Sequence, residues 1–186
     1  MNEHYVSRAA YKLEAAAGRL KIDFAGKNVL DVGSSTGGFS DFALRHGAAL
    51  VIAVDKGTNQ MDKALSQNPK IELHEKTDIL KLDKLLTKID LVLIDVSFVS
   101  VKTILPHIAK LIDSTADVVV LLKPQFEAKS TEKNEGIVKN ETIRRELLKN
   151  FEQWAKSYFV IVEKVDSEIR GRYGNRERFY KLRKFR

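Results

Sequence analysis

Five short apolar runs rich in branched residues recur along the chain: "NVLDV" at 28–32, "LVIAVD" at 50–55, "IELHE" at 71–75, "IDLVLIDV" at 89–96 and "DVVVLLK" at 117–123. A strand buried on both faces reads as a near-continuous hydrophobic run, whereas a one-sided strand alternates, so these runs predict a parallel sheet covered on both sides. Helical patterns separate them, near 38–46, 59–67, 80–87 and 101–112, with Gly47 placed to cap the first. The alternation predicts a doubly wound, Rossmann-like α/β fold. A further helix in "TIRRELLKNFEQWAKS" and two last strands, in "YFVIVEKVDSEI" and "RERFYKLRKF", bring the expected sheet to seven strands, the last two forming a hairpin-like edge.

Two segments fall outside this alternation. An extra N-terminal helix is predicted near 6–18, within the segment 1–20, and its polar members include Arg8 and Lys12. The stretch "PQFEAKSTEKNEGIVK", 124–139, is a polar loop longer than most connections, and such loops usually cover a functional site or stay disordered. With no repeat and no low-complexity linker, residues 1–186 are predicted to form one domain, its core spanning 28–123.

The chain has no cysteine, which excludes disulfides, thiolate metal sites and cysteine nucleophiles, and its four scattered histidines argue against any metal site. No run of 18 uncharged apolar residues occurs, and the start "MNEHYVSRAAYK" lacks the apolar centre of a signal peptide, so a cytoplasmic protein without a membrane partner is expected. The formal charge of +7 lies entirely within residues 170–186, "RGRYGNRERFYKLRKFR", which hold eight basic residues and one Glu. Clustered cations of this kind suit a polyanionic partner, and Arg8, Arg170, Arg172, Arg176 and Arg178 are the candidate phosphate contacts. The interleaved Tyr173, Phe179, Tyr180 and Phe185 favour an ordered strand over a loose tail.

The decisive motif is "DVGSSTGGFS", 31–40, directly after the first strand. A dinucleotide fingerprint requires glycine at 33, 35 and 38, and position 35 is Ser35. A P-loop requires lysine where Phe39 stands, which argues against hydrolysis of ATP or GTP. What remains is Asp31 at the end of the first strand, then Gly33, Gly37 and Gly38, then Asp55 at the end of the second strand, 22 residues beyond Gly33 and placed to accept ribose hydroxyls. A ligand with ribose and adenine but no phosphate suits this set, which points to S-adenosylmethionine, its ammonium facing Asp31. Ser34 and Phe39 within the turn, Lys56 beside Asp55, and Asp78 in "EKTDIL" complete the candidate cofactor residues, with Asp78 equally able to serve as a simple helix cap.

In order along nearly the whole chain, "YVSRAAYKLEAA", "DVGSSTGGFSD", "AVDKG", "DVSFVSVKTILP", "LLKPQFE", "GIV" and "GNRERF" resemble the TlyA-type proteins, often described as hemolysin A. These are FtsJ-like, class I S-adenosylmethionine-dependent ribosomal RNA methyltransferases that modify the ribose 2′-oxygen, typically of cytidine. The resemblance implies a Lys-Asp-Lys-Glu catalytic set, carried here by Lys12 in "SRAAYKL", Asp95 in "DVSF", Lys123 in "LLKPQFE" and Glu177 in "GNRERF", with Asp95 also near the cofactor. It implies ribosomal RNA or ribosomal subunits as partner. Family members usually carry a small N-terminal RNA-binding domain, and this chain begins at the methyltransferase part. The segment "AKSTEKNE" departs from a glycine-rich version expected before "GIV", so no residue there is assigned a role.

Two other classes of function fit parts of the sequence. A non-catalytic RNA-binding or ribosome-assembly module would keep the fold and the basic stretch without consuming cofactor. A membrane-lytic activity, suggested by the name hemolysin, would require an amphipathic or spanning element that the sequence lacks. Among methyl acceptors, a base carbon is disfavoured by the absence of cysteine, an exocyclic amine by "DVSF" after the fourth strand, and a small molecule by the concentrated basic stretch.

Overall fold

The computed structural model describes residues 4–185; the ends of the expected N-terminal segment and basic stretch, 1–3 and 186, lie outside the described residues. In chain order the elements are α1 (Arg8–Ala17), β1 (Asn28–Val32), α2 (Gly38–Arg45), β2 (Leu50–Val54), α3 (Lys63–Ser66), β3 (Ile71–His74), β4 (Leu91–Ile94), α4 (Val101–Leu111), β5 (Asp117–Leu122), α5 (Pro124–Glu127), α6 (Glu141–Ala155), β6 (Phe159–Asp166) and β7 (Arg178–Lys184). The sheet has seven strands in the order β3-β2-β1-β4-β5-β7-β6. Strands β1 to β5 are parallel, and β7 runs antiparallel to both β5 and β6. This is the expected doubly wound α/β fold.

Side chains alternate across each strand, so one strand feeds two cores. Leu30 and Val32 of β1 join Ile104 and Ile108 of α4 and Leu148 and Phe151 of α6 on one face. Val29 joins Leu13 of α1, Phe39 and Phe42 of α2 and Leu65 of α3 on the other. Asp31 shares the parity of Val29 and therefore points into an apolar face, under the start of α2.

Local chemistry sets the helix starts. Ser7 accepts from the Ala9 amide to cap α1, and Asn140 accepts from Thr142 and Ile143 to cap α6. Gly47, at φ 93°, follows α2 in the left-handed conformation, and its amide returns to the Leu44 carbonyl, as expected of a helix-ending glycine.

Two expectations are corrected. No helix forms over 80–87: Asp78 caps a single 3₁₀ turn at Ile79–Lys81, and His107 of α4 donates to the Leu82 carbonyl, removing an acceptor that a continuing helix would use. Leu86, with 96 % of its surface exposed, has no core to join there. The helix expected near 59–67 shrinks to four residues because Glu75 captures the amides of Asn59 and Gln60, and the helix starts only at its Asp62 cap. The two last strands pair antiparallel into a hairpin at one edge of the sheet, as expected, with β6 outermost. Strand β7 lies between β5 and β6, and its Lys181 and Arg183 are drawn to Asp117 on β5, at 3.0 and 2.6 Å. The long polar loop is ordered into α5, a 3₁₀ turn at Ser130–Glu132 and a bridge between Asn134 and Ile137.

Candidate active site

At the carboxyl ends of β1, β2 and β4 the chain leaves a cleft, the usual place for a ligand in an open α/β sheet. Its larger chamber, about 490 Å³, is lined by Gly33, Ser35, Asp55, Lys56, Asp78 and Phe98 among others. A smaller chamber of about 150 Å³ is lined by Asp31, Ser34, Gly38, Phe39, Ser7 and Lys123. Gly33, Ser35, Asp95 and Ser97 line both, so the two chambers meet where β1 and β4 end.

The turn after β1 is shaped by close approach. Gly33 has φ 83°, and a Cβ there would lie 2.9 Å from the Asp95 carbonyl oxygen. Gly37, at φ 92°, begins α2, and its role is packing: a Cβ would lie 2.6 Å from Leu65 Cδ1. Ser35 is also held at positive φ, 47°, with its amide donating to Asp55 Oδ2 at 2.8 Å. Asp55 Oδ1 accepts from Gly57 at 2.6 Å, which fixes the carboxylate at the chamber wall. Lys56 pairs with Asp78 at 2.9 Å, and Asp78 also caps the following turn, so the cap and the pocket-lining reading both hold for it. Phe39 turns its ring into the core, toward Phe179.

Two polar atoms in the smaller chamber are buried without a partner among the described residues: Asp31 Oδ1 and Ser34 Oγ. The other Asp31 oxygen accepts from Ser40 Oγ at 2.6 Å. Burial pushes the Asp31 carboxyl up to about 7, against the opposing hydrogen bond from Ser40 and with the Asp95 charge adding to the rise. Buried polar groups are ordinarily satisfied, so these two atoms are candidates to bind a polar group within the chamber.

The four residues of the Lys-Asp-Lys-Glu set meet at this end of the sheet. Lys123 Nζ lies 2.8 Å from Asp95 Oδ1 and donates to Ser97 Oγ at 2.9 Å. Lys12 Nζ lies 2.7 Å from Glu177 Oε2, and Glu177 is 2 % exposed. Gln125, two residues beyond Lys123 in the chain, donates to Glu177 Oε1 at 3.2 Å, so Glu177 holds both Lys12 and Gln125.

The five arginines divide. Arg176 pairs with Glu141 at 2.8 Å, and Arg178 with Asp166 at 2.6 Å and Glu152 at 3.7 Å. Arg8, Arg170 and Arg172 have no carboxylate partner among the described residues; Arg8 donates to the Arg170 carbonyl. Reasoning from sequence missed Ser97, Gln125 and Phe98. The last is 92 % exposed with φ 64° beside the junction of the chambers, and its ring is 5.2 Å from that of Phe126. Its place in "DVSF", three residues after Asp95, was the available signal.

The family of FtsJ-like methyltransferases matches residues 5–184. The chain belongs to that family. It is 38% identical over 183 residues to the 23S rRNA (cytidine-2′-O)-methyltransferase TlyA of Campylobacter jejuni, covering 97% of this chain and 71% of that one. Over 125 residues it is 41% identical to the 16S/23S rRNA (cytidine-2′-O)-methyltransferase TlyA of Mycobacterium tuberculosis, 66% of this chain and 47% of that one. A Lactococcus lactis protein described as a hemolysin superposes with a TM-score of 0.93 at 34% identity, covering 97% of this chain and 89% of that one. No helix among the described residues is long and apolar enough to cross a membrane, and no group of three or more potential metal ligands occurs among them.

Proposed function

We propose that this FtsJ-like methyltransferase uses S-adenosylmethionine to methylate the ribose 2′-oxygen of a nucleotide, cytidine by analogy with its relatives, in ribosomal RNA, acting as a single unit in the cytoplasm. The observation that carries the reading is the ion pair Asp95–Lys123 at the wall of a cleft whose glycine turn has no phosphate-binding lysine, with the ion pair Lys12–Glu177 at the same end of the sheet.

The cleft fits the cofactor. Asp55 suits ribose hydroxyls, Asp78 and its neighbours line the adenine side, and the unpartnered Asp31 Oδ1 and Ser34 Oγ suit the methionyl ammonium and carboxylate. When bound, S-adenosylmethionine supplies a methyl group on a sulfonium, which is electrophilic without further activation. The chain's own residues therefore position the acceptor and stabilise the charge that develops on its oxygen. Lys123, held by Asp95 and Ser97, is the ammonium at the chamber wall, and Lys12, held by Glu177, is the second lysine of the set. Asp95 and Glu177 keep both ammonium groups aimed. Arg8, Arg170 and Arg172 hold RNA phosphates, while Arg176 and Arg178 serve the turn that carries Glu177.

Calorimetric titration with S-adenosylmethionine, with NAD and ATP as controls, tests the cofactor part. Selective binding of the methyl donor supports it, and equal or preferred binding of ATP or NAD contradicts it. A non-catalytic module would show no dependence of its activity on Asp55, so Asp55→Ala separates the two readings.

A further inference from the structure

The turn between β6 and β7, residues 167–177, does more than carry Glu177. Its tip presents Arg170, Arg172 and Tyr173, all exposed, with Tyr173 exposed over 68 % of its surface. The Arg172 guanidinium lies 5.6 Å from the centre of the Tyr173 ring. Arg8 of α1 reaches across to the Arg170 carbonyl at 3.3 Å, which brings a third guanidinium to the same patch. None of the three arginines has a carboxylate partner among the described residues, in contrast to Arg176, Arg178 and Arg183 of the same stretch.

This tip is held in one shape. Gly171 donates to the Asn175 carbonyl at 2.9 Å and Gly174 to the Gly171 carbonyl at 2.8 Å, closing the turn on itself. Asn175, 3 % exposed, accepts from the Val138 amide at 3.0 Å and donates to the Gly136 carbonyl at 3.1 Å, which fastens the turn to the loop after α5. A Cβ on Gly171 would lie 2.5 Å from Glu177 Oε1, so the tip touches the carboxylate that holds Lys12. An aromatic face, three uncompensated cations and direct continuity with the catalytic ammonium groups share one preorganised surface.

We propose that Tyr173, with Arg172, Arg170 and Arg8, forms a platform for an unpaired nucleotide next to the methylated one, the ring stacking on its base and the arginines holding its phosphates. The proposal rests on the RNA methyltransferase reading above. Base-on-aromatic stacking tolerates any base, and guanidinium groups add both phosphate contacts and cation–π attraction, so the platform positions RNA without reading its sequence. It selects single-stranded RNA, because a base within a duplex offers no free face. Arginines sequestered by Asp166, Glu152 and Glu141 contribute nothing to it.

The test is fluorescence anisotropy with a labelled single-stranded oligoribonucleotide of mixed sequence, titrated over a range of salt. Tyr173→Ala is expected to weaken binding roughly tenfold and Tyr173→Phe to restore it, because the ring and not the hydroxyl stacks. Arg172→Ala is expected to weaken binding and to flatten the plot of log affinity against log salt by about 0.7, the contribution of one phosphate contact on a single strand. Lys110→Ala, a matched charge loss at the last turn of α4, leaves binding unchanged. Wild-type affinity in Tyr173→Ala, with its cofactor titration also unaltered, overturns the platform. A parallel assay of methyl transfer to ribosomal RNA separates the two levels: transfer by the wild type alongside an indifferent Tyr173→Ala sinks the platform alone. Absence of both transfer and oligonucleotide binding in the wild type contradicts the platform and the reading beneath it.

Discussion

Lys12 on the first helix and Glu177 just before the last strand form an ion pair of 2.7 Å across 165 residues of sequence. The pair ties α1 to the start of β7 from opposite ends of the chain. Both side chains are largely out of solvent, and removal of one partner from a buried pair leaves the other charge uncompensated.

Glu177→Gln is therefore expected to lower methyl transfer about a hundredfold, while calorimetry shows cofactor affinity unchanged, because Glu177 lines neither chamber. Glu177→Ala should in addition cost on the order of 3 kcal/mol in denaturant unfolding. A glutamine variant with full activity would remove Glu177 from the catalytic network.

On the proposed cofactor reading, Asp31 makes binding depend on pH. Its carboxyl, raised by burial to about 7 from an ordinary 3.8, keeps its proton near neutrality, whereas a methionyl ammonium requires the carboxylate. Affinity for S-adenosylmethionine should rise as pH increases through about 7. The ligand-free protein should behave in the opposite sense. The folded state holds a proton that the unfolded state has released, so stability falls as pH rises from about 4 to about 7. Asp31→Asn should flatten both dependences, measured by calorimetry and by thermal unfolding across pH 4–8.

Gly33→Ala tests the close approach of β1 and β4. The added Cβ meets the Asp95 carbonyl at 2.9 Å in a backbone conformation unfavourable to alanine. A loss of about 1–3 kcal/mol in stability is expected, together with weaker cofactor binding, since Gly33 lines both chambers. Unchanged melting temperature and affinity would show that the turn relaxes freely.

Phe98 holds a large apolar ring in water at positive φ, a conformation that costs of order 1–3 kcal/mol and persists where the surroundings impose it. Phe98 lines the larger chamber, and on the proposed reading its ring covers the substrate there. Phe98→Ala should raise KM for ribosomal RNA roughly tenfold and leave cofactor affinity within experimental error. An unaltered KM would reduce Phe98 to an exposed loop residue.

The strands were readable because burial on both faces leaves a local signature: "DVVVLLK" became β5 with every residue from Asp117 to Leu122 buried. The positions of Asp31, Gly33, Asp55, Asp95 and Lys123 were readable for a related reason, since they sit within or just beyond those strands, whereas the roles given to Asp95 and Lys123 came from the family resemblance. The helices near 59–67 and 80–87 were not, because Glu75 and His107 compete for their backbone groups from other parts of the chain. Charge in 170–186 was readable in amount but not in allocation. Only the sheet order, with β7 set inside β6, shows that Lys181, Arg183, Arg178 and Arg176 are committed to carboxylates while Arg170 and Arg172 stay open. Phe98 was marked by its place in "DVSF", but nothing in those four residues distinguishes an exposed ring from a buried one.

The most direct test of the central claim is methyl transfer from labelled S-adenosylmethionine to unmodified ribosomal RNA and subunits, by the wild type and by Lys123→Ala. The RNA is digested to nucleosides, and the label is identified by mass spectrometry. The account predicts label in 2′-O-methylcytidine with the wild type, loss of at least a hundredfold with Lys123→Ala, and nearly unchanged cofactor binding by that variant. Label on a base, or normal turnover by Lys123→Ala, would contradict it.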